Sequence, residues 1–459
     1  MDKHTERLGS APLPSLLLRL SVPGMAAMVA TSVYNIVDTF WVARLGHEAI
    51  AALTIVFPYQ ILTVAVGIGT GIGISALVSR RFGEGDGETT NHIAGQIFSL
   101  SLFWGLLFAS IPLLFSRPIL LAFGATADIM EFGTRYLVII AWGAPVFIFS
   151  LIASNLIRGS GDPVRPMVIV VSSSVLNVAL DPLLILGIGP FPEMGIRGAA
   201  LATVIAQSCG ALLALVYLLG HRTSYRIRLR HLPPEWTLLG DIYRVGTPAS
   251  IQEMTESFAF IIFNNLVSGY GSVAIAAVGL TLRVSDLFFM PIIGVSQALL
   301  PVVGYNFGAG NRRRLWRAVR QSSLGLMGLL AFCTILVEIF APQIVGVFSQ
   351  DPEVLATTVP AMRIMLATLV FIGPGVLAVA TFQGLSKGGV ALFLSLARQF
   401  LLFVPLVVAL GRFFGLTGMW FALPCSDVLS FAVSLAFLHR EYRRQGPGNA
   451  PPPAPRAGA

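Results

Sequence analysis

The hydrophobic pattern of this chain is a series of long apolar runs separated by short polar stretches. About 20 apolar residues are enough for one helix to cross the ~30 Å hydrocarbon core of a bilayer. Twelve runs of this length lie at residues 16–41, 50–79, 93–116, 136–157, 166–189, 198–220, 241–268, 274–304, 318–342, 360–383, 389–410 and 417–438. The short alternating segments that are typical of a transmembrane β-barrel do not occur. The pattern therefore predicts an all-α membrane protein with twelve transmembrane helices.

The composition agrees with this prediction. Only 11% of the 459 residues are charged, 55% are hydrophobic, and the mean hydropathy is +0.80. A soluble protein has about 25% charged residues, and a chain of this length would divide into roughly three soluble domains. Because 11% is too few to cover such domains, the composition excludes an ordinary soluble protein.

Lysine and arginine are distributed unequally between the two sides of the predicted bundle. When both termini are placed on one side, twenty such residues in the loops lie on that side, among them the arginines of 310–320. The opposite loops hold few, for example Arg44, Arg117, Arg197 and Arg412. By the positive-inside rule we expect both termini in the cytoplasm and the protein in the cytoplasmic (inner) membrane. The arginine run is explained by topology, so we expect no nucleic-acid partner.

The two halves of the chain repeat each other. Four pairs of positions match at a single offset of 225 residues: Pro23 with Pro248, 46–52 with 271–277, 82–86 with 307–311, and 158–162 with 383–387. Each half then holds six spans, so both halves have the same orientation and are related by a pseudo-two-fold axis along the membrane normal. Such repeats are typical of secondary transporters. The chain has no GxxxxGK[ST] motif, which argues against an ATP-driven pump.

The repeat also predicts the domain organisation. We expect a cytoplasmic N-terminal tail, an N-lobe of six helices, a cytoplasmic linker, a C-lobe of six helices and a disordered C-terminal tail. The corresponding residues are 1–15, 16–220, 221–240, 241–439 and 440–459. The last segment is rich in proline, glycine and alanine, which favours disorder.

At this point several motifs resemble those of a known family. They are YNIVD (34–38), VARLG (42–46), RRFGEGD (80–86), RGSGDPVRP (158–166), NVALDP (177–182) and GVSQALLPVVGYNFGAG (294–310). In order and spacing they resemble the multidrug and toxic compound extrusion (MATE) transporters of bacteria, from about residue 16 to 439. The resemblance implies a cation-coupled antiporter that exports organic, often cationic, compounds and needs no cofactor. We expect it to function as a monomer.

Polar residues within the N-lobe spans suggest a cation site. A charge at the bilayer centre costs at least about 2.5–3.5 kcal/mol, so each one requires an explanation. Asp38 lies near the end of the first span, and Asn177 and Asp181 are one helical turn apart on the fifth. Their oxygens could bind Na⁺, or the two carboxylates could share a proton, because like charges held close disfavour double ionisation. Helix capping is the alternative explanation, especially for Asp181 before Pro182.

The resemblance assigns roles to these residues. The cation site of the family's N-lobe resembles the Asp38, Asn177 and Asp181 set, with Thr203 as a candidate fourth oxygen. Tyr34 and Asn35, within the first motif, are expected in the substrate cavity. Whether the coupling ion is Na⁺ or H⁺ stays open, and no other metal is expected.

The seventh span offers a second polar group. Gln252 and Glu256 are one turn apart and share a helix face, and Glu253 lies about 100° away. One branch of the family resembles this chain in having a carboxylate at the position of Glu256, which implies a role in drug binding or proton relay. That branch also has an aspartate in the tenth span, whereas residues 360–383 contain no acid. The acids are not duplicated by the repeat, so we expect specialised lobes.

Two prolines are candidate hinges. Pro23 and Pro248 occupy equivalent positions in the first and seventh spans. Proline removes a helix hydrogen bond and favours a kink, so we expect α-helical bending at these positions.

Two other functions deserve comparison with export. A lipid-linked oligosaccharide flippase of the same superfamily would need several cationic residues in its cavity, whereas the spans here hold acids. An intramembrane aspartyl protease is suggested by the GxGD letters of 159–162. Its partner Tyr-Asp dipeptide is missing, and Asp162 falls in a predicted cytoplasmic loop, so we expect no enzyme activity.

Overall fold

The computed structural model describes residues 3–220 and 223–446, which form α-helices joined by short connections. The helices are α1 Lys3–Ser10, α2 Leu13–Ala43, α3 His47–Glu84, α4 Gly87–Ala122, α5 Met130–Gly159, α6 Val164–Leu186, α7 Ile196–Leu219, α8 Trp236–Ser268, α9 Ser272–Gly308, α10 Arg312–Phe348, α11 Pro352–Leu366, α12 Leu369–Gly384, α13 Gly388–Leu396 and α14 Val404–Gln445. A 3-10 turn, Leu229–His231, lies in the linker, and a π-helix, Ala397–Phe403, joins α13 to α14. Within these described residues there is no β-strand.

Twelve membrane spans can be assigned in the described residues. Nine helical segments are long and apolar enough to cross a membrane, and α11 with α12, bent by 46°, makes a tenth. At 33 residues, α8 is also long enough, since a helix rises 1.5 Å per residue. The segment Gly388–Gln445 counts once among the nine, but Gly415, with φ 61° and ψ −145°, divides it into two helices. The predicted all-α, twelve-helix fold in two bundles is therefore confirmed.

The internal repeat is visible in the backbone. Gly46 and Gly271 precede α3 and α9 with φ of 112° and 96°, a region that L side chains rarely adopt. Asp86 and Asn311 cap α4 and α10, each accepting a hydrogen bond from the backbone N–H three residues later, at 3.0 and 3.1 Å. Such caps satisfy N–H groups that have no partner within the helix. Equivalent residues of the two halves therefore start equivalent helices.

The lobes touch closely on the side where α2 begins and α14 ends, which we call the terminal side. A Cβ built at Gly73 would lie 2.3 Å from the Ile242 carbonyl oxygen of α8, and one at Gly308 would lie 2.1 Å from the Arg80 carbonyl oxygen of α3. Only glycine permits backbones to approach this closely. The close backbone contacts between α3 and α8 continue from Gly73 to Gly69. Gly69 lies about 22 Å along α3 from the end of this helix at Glu84. In this structure the lobes are thus closed on the terminal side.

The two expected hinges lie within continuous helices. Pro23 is inside α2 and Pro248 is inside α8, and the helical backbone runs through both. Non-helical backbone angles occur instead at Phe115 in α4 and at Gly415 in α14. Bending at the two prolines therefore remains a prediction about another conformation.

The segment that we expected as an N-terminal tail contains an ordered helix. In α1 the side chains of Thr5 and Leu8 are fully buried. Leu8 belongs to the same apolar core as Leu315 and Leu299 of the C-terminal half. The beginning of the chain is therefore packed against the half farther along the sequence. We expected a disordered C-terminal tail at 440–459, whereas α14 continues as a helix to Gln445, because the charged end of the last span extends beyond its apolar run. Residues 447–459 of that prediction lie outside the described residues.

Candidate functional site

Polar side chains from three helices meet inside the N-lobe. The amide nitrogen Nδ2 of Asn177 lies 3.3 Å from Asp181 Oδ1 and 3.4 Å from Thr203 Oγ1, so α6 and α7 are joined by one hydrogen-bonded group. Asp181 is fully buried, and Asn177 and Thr203 are buried beside it. Asp38 of α2 lies close enough for its charge to act on Asp181. The structure therefore brings together all four predicted residues of this set, which we call the N-lobe cluster.

The N-lobe cluster contains acceptor oxygens without donors. Asp38 Oδ1, Asn177 Oδ1 and Asp181 Oδ2 are each buried and have no hydrogen-bond partner among the described residues. Among the described residues, no arginine, lysine or histidine forms an ion pair with Asp38 or Asp181. Burying an acceptor without a partner costs about 1–3 kcal/mol, and more for a charged group. Three such oxygens in one cluster fit a small cation or a proton.

The local sequence of α6 explains how the cluster forms. Residues four apart lie on one face of a helix, which places Asn177 and Asp181 next to each other. Pro182 follows directly and has no N–H, so the Val178 carbonyl loses its usual helix donor. One turn of α6 therefore concentrates two polar side chains and a carbonyl oxygen without its ordinary partner.

Two tyrosines border the N-lobe cluster. The phenol groups of Tyr34 of α2 and Tyr136 of α5 both lie within the electrostatic reach of Asp38 and Asp181. Tyr136 is buried and lies next to Gln60 of α3. Tyr34 was predicted as a residue of the substrate cavity, whereas no prediction was made for Tyr136 or Gln60. Asn35, the next residue of α2, is exposed, and no hydrogen bond within the described residues joins its side chain to the cluster.

The predicted C-lobe residues are placed differently. Gln252 of α8 accepts a hydrogen bond from the Nε2 amide of buried Gln383 of α12, at 3.4 Å. Glu253 is half-buried and interacts with neighbouring groups. The side chain of Glu256 lies outside the described residues, so its predicted role stays a prediction. These residues do not join the N-lobe cluster.

The C-lobe holds a buried ion pair that the sequence did not reveal. Asp427 of α14 is 2% exposed, and its Oδ1 accepts a hydrogen bond from Arg398 Nε at 3.0 Å. Thr368 Oγ1 lies 3.5 Å from the other carboxylate oxygen. Arg398 projects from the π-helix that joins α13 to α14, and π-helices are often found at functional sites. The opposite charges of Arg398 and Asp427 therefore neutralise each other.

The polar residues of the two lobes occupy different positions of the repeat. At the 225-residue offset, Asp38 corresponds to Phe263, Asn177 to Leu402 and Asp181 to Leu406. In the other direction, Arg398 corresponds to Ser173. The apolar residues at the three C-lobe positions leave no counterpart of the N-lobe cluster.

Comparison with known proteins places the chain among transporters. It is 27% identical over 438 residues to an FAD transporter of Shewanella oneidensis, covering 93% of this chain and 94% of that protein. It is 25% identical over 417 residues to the multidrug export protein MepA of Staphylococcus haemolyticus, covering 90% of this chain and 91% of that protein. A structure described as the outward-facing conformation of a multidrug resistance MATE family transporter matches with a TM-score of 0.90 and 27% identity. That match covers 97% of this chain and 99% of the other.

A match between this chain and the sequence model of a protein family shows the family to which the chain belongs. The model of the MatE family matches residues 23–183 and again residues 248–408. The two matches begin 225 residues apart, as the repeat requires, and together they cover more than half of the chain. The chain therefore belongs to the MatE family and is a transporter rather than an enzyme.

Proposed function

We propose that this protein exports small organic compounds, many of them cationic and amphipathic, in exchange for Na⁺ or H⁺ that binds at the N-lobe cluster. One observation carries this proposal: three buried oxygens from two carboxylates and an amide have no donor. A site composed of acceptors is suited to a cation. The similarity to multidrug export proteins supports small organic molecules as the substrates.

The unequal charges of the two sides support an orientation. The arginine-rich terminal side would be cytoplasmic by the positive-inside rule, with the protein in the inner membrane and both termini in the cytoplasm. Closure on the terminal side then corresponds to a state that is open to the outside. The similarity to an outward-facing transporter structure supports the same assignment.

The position of the N-lobe cluster suggests how coupling works. Asp38 is on α2. The part of α2 nearer to the terminal side approaches α9 of the other lobe, where Gly24 lies against Gly294. A cation bound between Asp38 and α6 would strengthen the contact of α2 with its own lobe. If the cation binds more tightly to one conformation of α2 and the substrate binds more tightly to the other, binding of one ligand weakens binding of the other. Exchange follows from this reciprocal coupling.

The C-lobe residues are proposed as part of the substrate cavity. Gln252 and Glu253 lie on α8 at the level where the closed region between the lobes ends near Ser250. Together with Tyr34 and Asn35 of α2 they would face the compound being transported. Glu256 extends this set by one turn.

The test is transport in proteoliposomes of purified protein. Ethidium efflux is measured under an imposed Na⁺ gradient and then under an imposed pH gradient, in wild type, Asp38→Asn and Asp241→Asn. Asp241 is an exposed carboxylate at the start of α8, so its variant controls for the loss of one negative charge. We expect one gradient to drive efflux in wild type and Asp241→Asn, and none to do so in Asp38→Asn.

The other outcomes are informative. Gradient-driven efflux by Asp38→Asn at the wild-type rate would contradict the assigned cation site. If ethidium does not move in wild type, the same vesicles are assayed with FAD and with a lipid-linked oligosaccharide. Movement of FAD would indicate a substrate like the one for which the Shewanella oneidensis relative is named. Movement of the oligosaccharide would favour a flippase.

A further inference from the structure

A cavity on the terminal side is separate from the N-lobe cluster. It has a volume of about 470 Å³ and lies between the α1–α2 turn and the beginning of α10. Pro12, Leu13 and Pro14 form one wall. The other wall carries three guanidinium groups, those of Arg313, Arg314 and Arg317. We call this space the arginine cavity, and its volume lies in the range of small-molecule sites.

The described residues leave the positive charge of the arginine cavity uncompensated. No aspartate or glutamate is among its lining residues. Neither Arg313 nor Arg317 forms an ion pair within residues 3–220 and 223–446. Arg314 is held differently: its Nε and Nη2 donate to the carbonyl oxygens of Leu8 and Ala11, at 3.2 and 2.5 Å. Those bonds orient the guanidinium but do not neutralise it, so three cations converge and no carboxylate is among the described residues that line the cavity.

The backbone N–H groups at the start of α10 are not the main attraction for an anion in the arginine cavity. Asn311 caps α10 by accepting a hydrogen bond from the Arg314 N–H. The attraction for an anion therefore comes from the guanidinium groups, which can each donate several hydrogen bonds to phosphate oxygens.

The surroundings of the cavity indicate the level of a lipid head group. One turn beyond Pro14 on α2, Leu18 is 65% exposed, and one turn beyond Gln321 on α10, Leu324 is 56% exposed. Apolar side chains that are exposed on membrane-spanning helices are expected to contact lipid chains, since contact with water is unfavourable for them. A cationic cavity bordered on its membrane side by such residues lies where phosphate groups of lipids are found.

The cavity is connected to the closure of the two lobes through α1. Thr5 Oγ1 donates to the Ser160 carbonyl oxygen, at 3.0 Å, which lies after α5 of the N-lobe. Asn306 Nδ2 of α9 donates to the Leu8 carbonyl oxygen, also at 3.0 Å. Because α1 bonds to both lobes, a ligand that fixes the α1–α2 turn against α10 also stabilises the bridge between them.

We propose that the arginine cavity binds a phosphate group, and that the bound phosphate holds α1 across the closed terminal side. Two sources offer this chemistry: an anionic phospholipid of the adjacent leaflet and free phosphate. The exposed leucines at its border favour the phospholipid. The proposal does not depend on which compound is exported.

Binding is measured by native mass spectrometry of the full-length protein with phosphatidylglycerol, phosphatidylcholine or inorganic phosphate. The test variant is Arg313→Gln/Arg317→Gln, which leaves the backbone bonds of Arg314 in place. The matched control is Arg320→Gln/Arg440→Gln, which removes two exposed arginines of the same side that do not line the cavity. Each arginine near an anionic lipid strengthens the binding of that lipid. Because the test variant lacks two arginines, we expect it to bind phosphatidylglycerol roughly thirtyfold more weakly.

A second readout follows α1 directly. Amide hydrogen exchange of residues 3–11 is compared in nanodiscs of phosphatidylcholine with and without phosphatidylglycerol. We expect the anionic lipid to slow exchange in wild type and in the control, and to have no effect in the test variant. Slower exchange with inorganic phosphate alone, lost in the test variant, would identify free phosphate as the source.

Two results would overturn the proposal. One is phosphatidylglycerol binding by the test variant with unchanged affinity. The other is an equal loss in the control variant, which would mean that the terminal side attracts anions through diffuse charge and not at this cavity.

Discussion

The two lobes share one repeat but differ in how they treat a carboxylate that is buried within a membrane-spanning helix. In the N-lobe, Asp38 and Asp181 have no cationic partner among the described residues, and three acceptor oxygens of the cluster are unpaired. In the C-lobe, Asp427 is neutralised by Arg398. An uncompensated site can change its occupancy by a cation during transport, whereas a compensated one keeps its charge constant. The comparison suggests that the N-lobe acts as the coupling half and the C-lobe as the half with a fixed charge.

The largest effect is expected from removing a carboxylate of the N-lobe cluster. Asp181→Asn replaces an acceptor of the proposed cation site with an amide that carries its own donors. We expect gradient-driven efflux to fall at least about tenfold, because an ion–ligand contact is worth more than ~1.4 kcal/mol. Efflux from proteoliposomes measures this, with Asp241→Asn as control. Unchanged efflux would remove Asp181 from the coupling site.

A large effect on stability, and not on coupling, is expected from the C-lobe pair. Asp427→Asn leaves the Arg398 charge without its partner, which destabilises a protein by about 3 kcal/mol when the pair is buried. Thermal unfolding in detergent measures the loss. Adding Arg398→Met to Asp427→Asn should restore much of it, since the unpaired charge is then gone. Normal stability combined with lost coupling in Asp427→Asn would instead make this carboxylate a cation ligand.

The contact between the lobes should respond to a single methyl group. Gly73→Ala places a Cβ against the Ile242 carbonyl oxygen, and overpacking of this kind costs about 1–3 kcal/mol. We expect the population closed on the terminal side to fall about tenfold. Gly328→Ala, at a position with no neighbour within 4 Å, is the control.

The readout is the distance between the lobes. Spin labels are attached to cysteines at Gly87 of α4 and Gly389 of α13, two exposed positions with room for a side chain, after replacement of the native cysteines. Gly73→Ala should increase the fraction of long distances. The same distribution in Gly73→Ala and Gly328→Ala would show that this contact does not govern closure.

The smallest effect is expected from the hydroxyl group of the N-lobe cluster. Thr203→Val removes one hydroxyl oxygen with little change in shape, and a single hydrogen-bond partner is worth about 1 kcal/mol. The cation concentration for half-maximal efflux should rise roughly fivefold. Thr281→Val is the control, because within the described part of the chain the Thr281 hydroxyl donates only to the Ala277 carbonyl of its own helix in the C-lobe. An equal change in both variants would argue against Thr203 as a ligand.

Much of the architecture could be predicted from the sequence. Apolar runs fix the helices because lipid leaves the backbone no other way to pair its polar groups. The 225-residue offset fixes the relation of the lobes, and the capping pair Asp86 and Asn311 recurs at that offset. The N-lobe cluster was also predictable, since Asn177 and Asp181 must share a helix face and the resemblance supplied Asp38.

The remaining features depend on contacts between distant segments. Arg398 and Asp427 are 29 residues apart on different helices, and neither position has a spacing that suggests pairing. Tyr136 joins the N-lobe cluster from α5 although its sequence position near the start of a span is ordinary for an aromatic residue. Helix α1 is short and polar, so only its burial against both lobes reveals its role.

The most direct test of the charge comparison is the infrared difference spectrum of the purified protein between low and high concentrations of the driving cation. Carboxyl bands report occupancy by Na⁺ or by a proton alike. The account predicts difference bands in wild type that disappear in Asp38→Asn and Asp181→Asn and persist in Asp427→Asn. Bands that persist in both N-lobe variants, or that vanish in Asp427→Asn, would contradict it.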